Sequence, residues 1–185
     1  MRYYLKDEAL IIEGEFEAVS SGLQGGWKKI NYIFNHTVND FDLEEPVDYL
    51  RKIAEKYGLK EYFGLLTSVP MDKLSIEKID DVTVFVTAGV KNPNEKIGTI
   101  NIIIVIDAVV SGGGMINAVI TATEAKTKAL IELGHNFTGT NTDAVIVAMT
   151  SKGRYYEYAG PMSELGRKIW IGVNKAVKES LLKWD

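Results

Sequence analysis

The chain has 185 residues, a formal net charge of −4 and no cysteine. With 46% hydrophobic and 25% charged residues it has the composition of a soluble globular protein, and residues 1–185 are expected to form one domain. The lack of cysteine excludes disulfides, thiolate metal sites and cysteine nucleophiles. The lysines and arginines are scattered along the chain, so no basic surface for a nucleic acid is expected.

Membrane insertion and metal binding find little support in the residue pattern. The longest apolar run, 100–110, is too short to span a bilayer and contains Asn101 and Asp107. The first eight residues do not resemble a signal peptide, which favours a cytoplasmic protein with no membrane partner.

His36 and His135 are far apart in the sequence, so no metal site is predicted. A site in which carboxylates bind a hard cation is still compatible with the sequence. The oligomeric state, including a homo-oligomer, stays open.

Hydrophobic periodicity predicts a strand-rich chain with three helices. The predicted strands are 2–5, 9–13, 16–20, 30–38, 63–69, 82–90, 98–107, 143–150 and 154–159. The predicted helices run from Pro46 to a stop at Gly58, over 115–133, and from Pro161 to about Leu182. Acidic residues precede the first helix, where negative charge suits the helix dipole: Asp40, Asp42, Glu44 and Glu45.

This pattern predicts an α/β or α+β fold: a single domain with mixed, largely antiparallel β-sheet layers and about three packed helices. Hairpin-like strand pairs argue against a purely parallel sheet. The runs 82–90 and 98–107 are nearly all apolar and rich in β-branched residues. We therefore expect them side by side at the centre of one sheet, with both faces covered.

Two glycine-rich segments are candidate substrate-binding loops. Segment 20–26 is followed by Trp27 and would let a flat ligand approach the backbone, although a plain turn has equal standing. Segment 111–114 precedes a helix, where free N–H groups favour a negative group, but a tight strand-to-helix turn also needs glycine. The candidate contacts in these segments are Ser21, Gly22, Gly25, Gly26, Trp27, Gly113 and Gly114.

The helix 115–133 places Lys126 on its inward side. The predicted inward residues are Ala118, Ala122, Ala125, Ala129 and Leu133, with Ile116, Val119, Ile120, Thr123 and Leu130 beside them. The predicted polar face holds Asn117, Thr121, Glu124, Lys128 and Glu132. An inward lysine either extends to the edge of the helix or enters a polar pocket. We expect its ammonium to meet a carboxylate, that of Asp143 or Glu124.

The loop 138–143 combines hydroxyl and amide side chains with the carboxylate of Asp143. Such a loop can supply a nucleophile, oxyanion donors and an orienting carboxylate, or it can be a turn that satisfies its own backbone. The segments 21–27, 111–114 and 138–143 are expected to converge with Asn101 on one concave surface.

Six sequence blocks occur in the order seen in adenosylcobinamide amidohydrolases. They are Ser21-Gly22-x-x-Gly25-Gly26-Trp27, Thr87-Ala88-Gly89, Gly98-Thr99-Ile100-Asn101, Thr123-Glu124-Ala125-Lys126, Thr138-Gly139-Thr140-Asn141-Thr142-Asp143 and Gly160-Pro161-x-Ser163-Glu164-Leu165-Gly166. The chain resembles this family from about Ser20 to its end. The resemblance implies an archaeal-type enzyme of cobinamide salvage that hydrolyses the amide between the corrin propionyl side chain and aminopropanol. The products would be adenosylcobyric acid and 1-amino-2-propanol.

The resemblance also implies site residues and a cofactor state. A small-molecule corrinoid is the implied partner, and its cobalt enters with the substrate, so no tightly bound cofactor is expected. Amide hydrolysis needs an activated water or hydroxyl, an oxyanion stabiliser and an acid for the amine. In the matched blocks, Asp143 or Glu124 is the candidate base and Lys126 the electrostatic stabiliser. The other candidates are Thr140 or Thr142 as nucleophile or oxyanion donor, and Asn101 and Thr138 as substrate contacts.

One position departs from the family pattern. Met162 stands where the family usually has histidine. If that histidine is an acid–base group, His36 and His135 are the only replacements in this chain, although a strand histidine such as His36 is more often structural. Two alternative functions stay open: a corrinoid- or tetrapyrrole-binding protein without chemistry, and a hydrolase for a different amide.

Overall fold

The structure is a computed structural model, and it describes residues 1–38, 45–90 and 98–184. The predicted acidic residues Asp40, Asp42 and Glu44 lie outside these ranges. The strands are β1 (Arg2–Lys6), β2 (Ala9–Ser20), β3 (Gly26–Thr37), β4 (Tyr62–Thr67), β5 (Ser75–Ile79), β6 (Val82–Gly89), β7 (Thr99–Ile106), β8 (Val109–Val110), β9 (Ala144–Met149) and β10 (Tyr155–Tyr156). The helices are α1 (Pro46–Tyr57), α2 (Gly112–Glu132) and α3 (Glu164–Leu182), with a 3₁₀ turn at Met71–Lys73. None of these helices is both long and apolar enough to cross a bilayer.

One mixed sheet organises the molecule in the order β4-β3-β2-β9-β7-β6-β5, and β1 pairs with β2. Only the pairs β3/β4 and β7/β9 are parallel within it. The predicted α+β class, with a mixed and largely antiparallel sheet and three helices, is confirmed. The sheet folds back on itself and brings β7 against β4, four places away in the strand order. A hydrogen bond from Asn101 in β7 to the Leu66 carbonyl in β4 joins the two strands.

The two apolar strands lie inside the sheet, as predicted. β6 pairs with β7 along its length, from Val82 opposite Ile106 to Gly89 opposite Thr99. Every residue of both strands is buried, and each strand has neighbours on both sides. Their side chains alternate between two cores, which is why both runs are apolar throughout.

The first core lies between the sheet and the pair α2 and α3, and the second lies inside the fold of the sheet. Alanines of α2 allow close packing at the first core: Ala118, Ala122, Ala125 and Ala129 are all fully buried. A third core joins α1 to the outer faces of β2, β3 and β4.

The predicted inward face of α2 was too wide on one side. Ile116, Ile120 and Thr123 are exposed, because the buried half of the helix is centred on the alanine stripe. Thr121, predicted on the polar face, is fully buried and donates a hydrogen bond to the Ala159 carbonyl at 2.7 Å. Its position at the edge of the buried arc, next to the loop before α3, accounts for this difference.

Serine caps decide where two helices begin. α2 begins at Gly112 rather than at 115, because the Ser111 hydroxyl accepts a hydrogen bond from the Gly114 N–H. The glycines of segment 111–114 therefore form the first turn of the helix. α3 begins at Glu164 and not at Pro161, because Ser163 caps Gly166 in the same way.

The strand predictions differ from the structure in four places. The runs 9–13 and 16–20 belong to one strand, β2, which carries a register shift between Glu13 and Phe16. β3 begins at Gly26, four residues before its predicted start. Only Tyr155–Tyr156 of the predicted strand 154–159 is a strand, where it pairs with β8. β5 and β8 were not predicted.

Candidate active site

A pocket of about 490 Å³ opens where the folded sheet brings four segments together. These segments are the turn between β2 and β3, the end of β4, the start of β7 and the loop before β9. The residues that line it are Ser21, Gly22, Leu23, Val38, Pro46, Leu65, Leu66, Asn101, Asn141, Thr142, Asp143 and Ala144. Part of its lining is apolar, called the apolar wall here, and part carries hydroxyl, amide and carboxylate groups, called the polar wall.

Asp143 lines the polar wall and is paired with Lys126, which lies behind it and does not itself line the pocket. The Lys126 Nζ atom lies 2.5 Å from Oδ2 of Asp143, and the two side chains are only 9% and 11% exposed. Asp143 accepts three further hydrogen bonds, from the Thr140 N–H, the Thr140 hydroxyl and the Ile100 N–H. A carboxylate has about four lone-pair positions, so these donors occupy all of them and fix the group rigidly.

Gly139 makes the close approach of the ion pair possible. A Cβ atom at this position would overlap the Asp143 carboxylate and stand 2.5 Å from the Lys126 ammonium. Any side chain here would displace the Lys126 ammonium and the Asp143 carboxylate or move the loop away from α2. The presence of glycine at this position of the Thr138–Asp143 block is thus explained by the space that both charged groups need.

Two threonine hydroxyls form a second polar element of the wall. Thr99 and Thr142 lie with their Oγ atoms 2.5 Å apart, which joins the start of β7 to the loop before β9. Thr99 is fully buried, whereas Thr142 lines the pocket and is exposed. The Thr142 hydroxyl is therefore the one of the two that a ligand can reach.

The glycine-rich turn contributes Ser21 and Gly22 to the pocket. Ser21 continues the sheet: its N–H donates to the Val145 carbonyl and its hydroxyl accepts from the Val145 N–H, both at 3.0 Å. Gly25 has no room for a Cβ, which would overlap the carbonyl oxygens of Ser20 and Gly22, and Gly26 has a φ of +116°. Gly25 and Gly26 thus meet the needs of the turn itself, and neither lines the pocket.

Asn101 lines the pocket and belongs to a buried hydrogen-bond chain. Its Nδ2 donates to Asn35 Oδ1 and to the Leu66 carbonyl, each at 2.9 Å. Asn35 in turn donates to the Thr87 hydroxyl at 2.9 Å. These contacts hold β3, β4, β6 and β7 together across the folded sheet.

Segment 111–114 does not join this site, so the prediction that all the loops converge was wrong there. Gly113 and Gly114 belong to the first turn of α2, and Gly112 and Lys126 are about 20 Å apart along the helix. Trp27 also lies outside the pocket wall: its indole N–H donates to Glu17, and its ring approaches Gly112.

Three other candidates lie outside the pocket. Glu124 is exposed on the outer side of α2, so Asp143 rather than Glu124 is the carboxylate that meets Lys126. Thr138 is exposed, and its carbonyl accepts a hydrogen bond from Thr127. Met162 is exposed in the turn before α3 and does not line the pocket.

His36 lies beneath α1 and not in the pocket wall. Its ring is 5% exposed and packs between Tyr49 and Tyr57, with the Tyr49 hydroxyl 3.4 Å from Nε2. Burial lowers the pKa of His36, and the nearby charge of Lys56 lowers it further. A neutral ring packed in this position fits a structural histidine.

Sequence reasoning missed the apolar wall of the pocket. Leu65 and Leu66 come from the end of β4, Leu23 from the glycine-rich turn, and Val38 and Pro46 from either side of the undescribed residues 39–44. No local pattern distinguishes these residues from ordinary core positions.

In the part of the chain that the structure describes, no group of three His, Asp or Glu side chains is placed to share a metal ion.

Comparisons with known proteins agree with the sequence blocks. Residues 9–185 match the family described as adenosylcobinamide amidohydrolase. An adenosylcobinamide amidohydrolase of Methanosarcina mazei is 46% identical over 195 residues, covering 98% of each chain. An uncharacterized protein of Methanocaldococcus jannaschii is 31% identical, covering 96% of this chain and 87% of that one. An adenosylcobinamide amidohydrolase of Halobacterium salinarum is 29% identical, covering 88% and 79%.

The class defined by this fold and pocket is an α+β protein with a buried Lys–Asp pair at the wall of a ligand-sized cleft. The chain belongs to the adenosylcobinamide amidohydrolase family, as the sequence blocks predicted.

Proposed function

We propose that this chain hydrolyses the amide that joins the corrin propionyl side chain to 1-amino-2-propanol in adenosylcobinamide. The products are adenosylcobyric acid and free 1-amino-2-propanol, and the reaction serves corrinoid salvage. The observation that carries the proposal is the Lys126–Asp143 pair, because it places a rigidly held carboxylate at a pocket wall in a chain of this family.

The size and lining of the pocket suit the arm of the substrate that is cut. A volume of about 490 Å³ accommodates the propionyl amide and its aminopropanol. The much larger corrin ring stays at the mouth, and its cobalt remains part of the substrate. The leucines of β4 contact the carbon chain of the arm, and the polar wall faces the amide.

Asp143 acts as the general base in this proposal. Of its four hydrogen-bond donors, only the Thr140 hydroxyl can rotate its proton away without moving the backbone or the ion pair. That rotation frees a lone pair on Oδ1 for a water molecule. Asp143 then takes a proton as the water oxygen bonds to the amide carbon, and it returns this proton to the amide nitrogen when the C–N bond breaks, so that the amine leaves neutral.

Lys126 supplies positive charge beside this step. Its ammonium holds the Asp143 carboxylate in place, and its positive charge also favours the negative oxygen that develops on the amide carbon. The Thr142 hydroxyl, which faces the pocket, is a donor for the same oxygen.

The deciding experiment incubates the purified protein with adenosylcobinamide and follows the corrinoid by mass spectrometry. We expect adenosylcobyric acid to form with the wild-type protein and not with Asp143→Asn. Stoichiometric retention of a corrinoid of unchanged mass would instead identify a binding protein. An untouched and unbound corrinoid would contradict the proposed substrate.

A further inference from the structure

The side-chain oxygen of Asn101 is a buried acceptor without a donor. Asn101 is 1% exposed and lines the pocket, yet no hydrogen bond from the described residues reaches its Oδ1. Buried polar atoms in folded proteins are nearly always paired, so an orphan at a pocket wall indicates a partner that arrives with a ligand.

The orientation of this amide group is determined by its neighbours. The Leu66 carbonyl can only accept a hydrogen bond, so the atom of Asn101 that faces it must be the nitrogen. The same nitrogen donates to Asn35 Oδ1, and Asn35 Nδ2 donates in turn to the Thr87 hydroxyl. Exchanging oxygen and nitrogen would break two hydrogen bonds. The oxygen is therefore the end of the group left for a ligand.

Asn101 also lies next to the proposed base. It is opposite Ala144 in the β7/β9 pair, and Ala144 directly follows Asp143. The preceding residue, Ile100, donates its N–H to Asp143 Oδ1. An amide held at Asp143 therefore lies within reach of the residues around Asn101.

We infer that Asn101 Oδ1 accepts a hydrogen bond from the N–H of the amide that is cut, and so selects a secondary amide as the substrate. This inference rests on the proposed amide hydrolysis and goes beyond it by naming the group that the site recognises. Asn101 is a specificity-determining residue here, and it takes no proton from the substrate.

An ester isostere separates this role from general catalysis. In the 2-hydroxypropyl ester of adenosylcobyric acid, an oxygen replaces the amide N–H, so the Asn101 oxygen would face another lone pair. A site built around a hydrogen bond discriminates strongly against an analogue that lacks the donor. Removing the Asn101 acceptor should therefore harm cleavage of the amide and spare or improve cleavage of the ester.

The experiment measures kcat/KM for adenosylcobinamide and for this ester with the wild type, Asn101→Leu, Asn101→Ser and Thr87→Val. The amide-to-ester ratio is taken within each preparation, so the fraction of folded protein cancels. Serine is a smaller, polar replacement and gives a second variant if leucine prevents folding. Thr87→Val is the matched control, because it disturbs the same hydrogen-bond chain and leaves the Asn101 oxygen in place.

We expect the ratio to fall at least about fivefold in both Asn101 variants and to change less than that in Thr87→Val. A smaller fall than this in the Asn101 variants, with a wild type that cleaves adenosylcobinamide, would overturn the inference and leave the proposed function intact. An equal fall in Thr87→Val would overturn it too, since the effect would then come from the chain as a whole. A wild type that does not cleave the amide would remove the proposed function, and this inference with it.

Discussion

The ammonium of Lys126 reaches from the buried side of α2 to the loop before β9, where it lies 2.5 Å from the Asp143 carboxylate. A second lysine, the partly buried Lys168 in α3, pairs with Asp81 at 2.8 Å near the start of β6. Burial lowers the pKa of Lys168, but the hydrogen bonds with Asp81 and Tyr156 outweigh it and the pKa is raised. Asp81 and Tyr156 do not line the pocket. The two pairs therefore allow stability and activity to be separated by matched substitutions.

Lys126→Met should fold but lose turnover of adenosylcobinamide by about tenfold to a thousandfold, the usual effect of losing an electrostatic stabiliser. Methionine preserves the volume of the lysine stem, while the buried Asp143 carboxylate loses its partner. Breaking a buried pair in this way also destabilises a protein by about 3–5 kcal/mol. Steady-state kinetics and urea denaturation measure the two effects.

Lys168→Met is the control for that variant. We expect a comparable loss of stability with wild-type kcat, because the Lys168–Asp81 pair is remote from the pocket wall. If Lys126→Met cleaves adenosylcobinamide at the wild-type rate, Lys126 has a structural role alone and does not contribute to catalysis. Equal losses of kcat in the two lysine variants would mean that reduced stability, and not the site, explains the effect.

Thr140→Val distinguishes a water nucleophile from a threonine nucleophile. If Asp143 activates water, the variant loses only the rotatable donor and should keep at least about a tenth of the wild-type kcat. Asp143→Asn, in contrast, should lower kcat by about two orders of magnitude or more. Both rates come from product formation under saturating substrate. Abolished activity in Thr140→Val, together with an acyl-enzyme mass in the wild type, would assign the attack to Thr140.

Gly139→Ala should lower both stability and activity, because the added methyl group would overlap the ion pair. Forcing extra volume into a packed site typically costs about 1–3 kcal/mol, and here it would also move Asp143 relative to the pocket. Gly113→Ala is the stability control, since a Cβ at that helical position meets no atom within 4 Å. A Gly139→Ala melting temperature equal to that of Gly113→Ala would show that the loop can move away without penalty.

His36 should make the protein less stable as the pH falls below about 6.5, the ordinary histidine pKa. Burial keeps the pKa of His36 below that value in the folded state, so the unfolded chain binds the proton first. The stabilising contribution is complete above the unfolded pKa and is lost as the pH falls towards the folded pKa. His36→Phe keeps a ring between Tyr49 and Tyr57 and removes the titration.

Urea unfolding at about pH 7.5 and about pH 5.5 measures this effect. The free energy of unfolding should fall more between these two pH values in the wild type than in His36→Phe. Parallel losses in the two proteins would assign the acid sensitivity to other groups.

Local patterns account for what could be predicted. The apolar strands 82–90 and 98–107 revealed their burial because residues facing two cores leave no polar alternation. The helical period placed Lys126 on the inner side of α2, since a side chain's direction follows directly from its position along the helix. The six sequence blocks identified the family, because motifs and their order along the chain can be recognised without knowing the tertiary structure.

Only the tertiary structure decided which of these segments share a pocket. The fold of the sheet brings β4 against β7, so Leu66 and Asn101 meet although 35 residues separate them. It also assigns Asp143 rather than Glu124 to Lys126 and leaves segment 111–114 at the other end of α2. The unpaired oxygen of Asn101 is a property of the same kind. Hydrophobic periodicity shows which face of its own helix or strand a side chain occupies. Which residues that side chain contacts depends on the order and curvature of strands that are distant in the sequence.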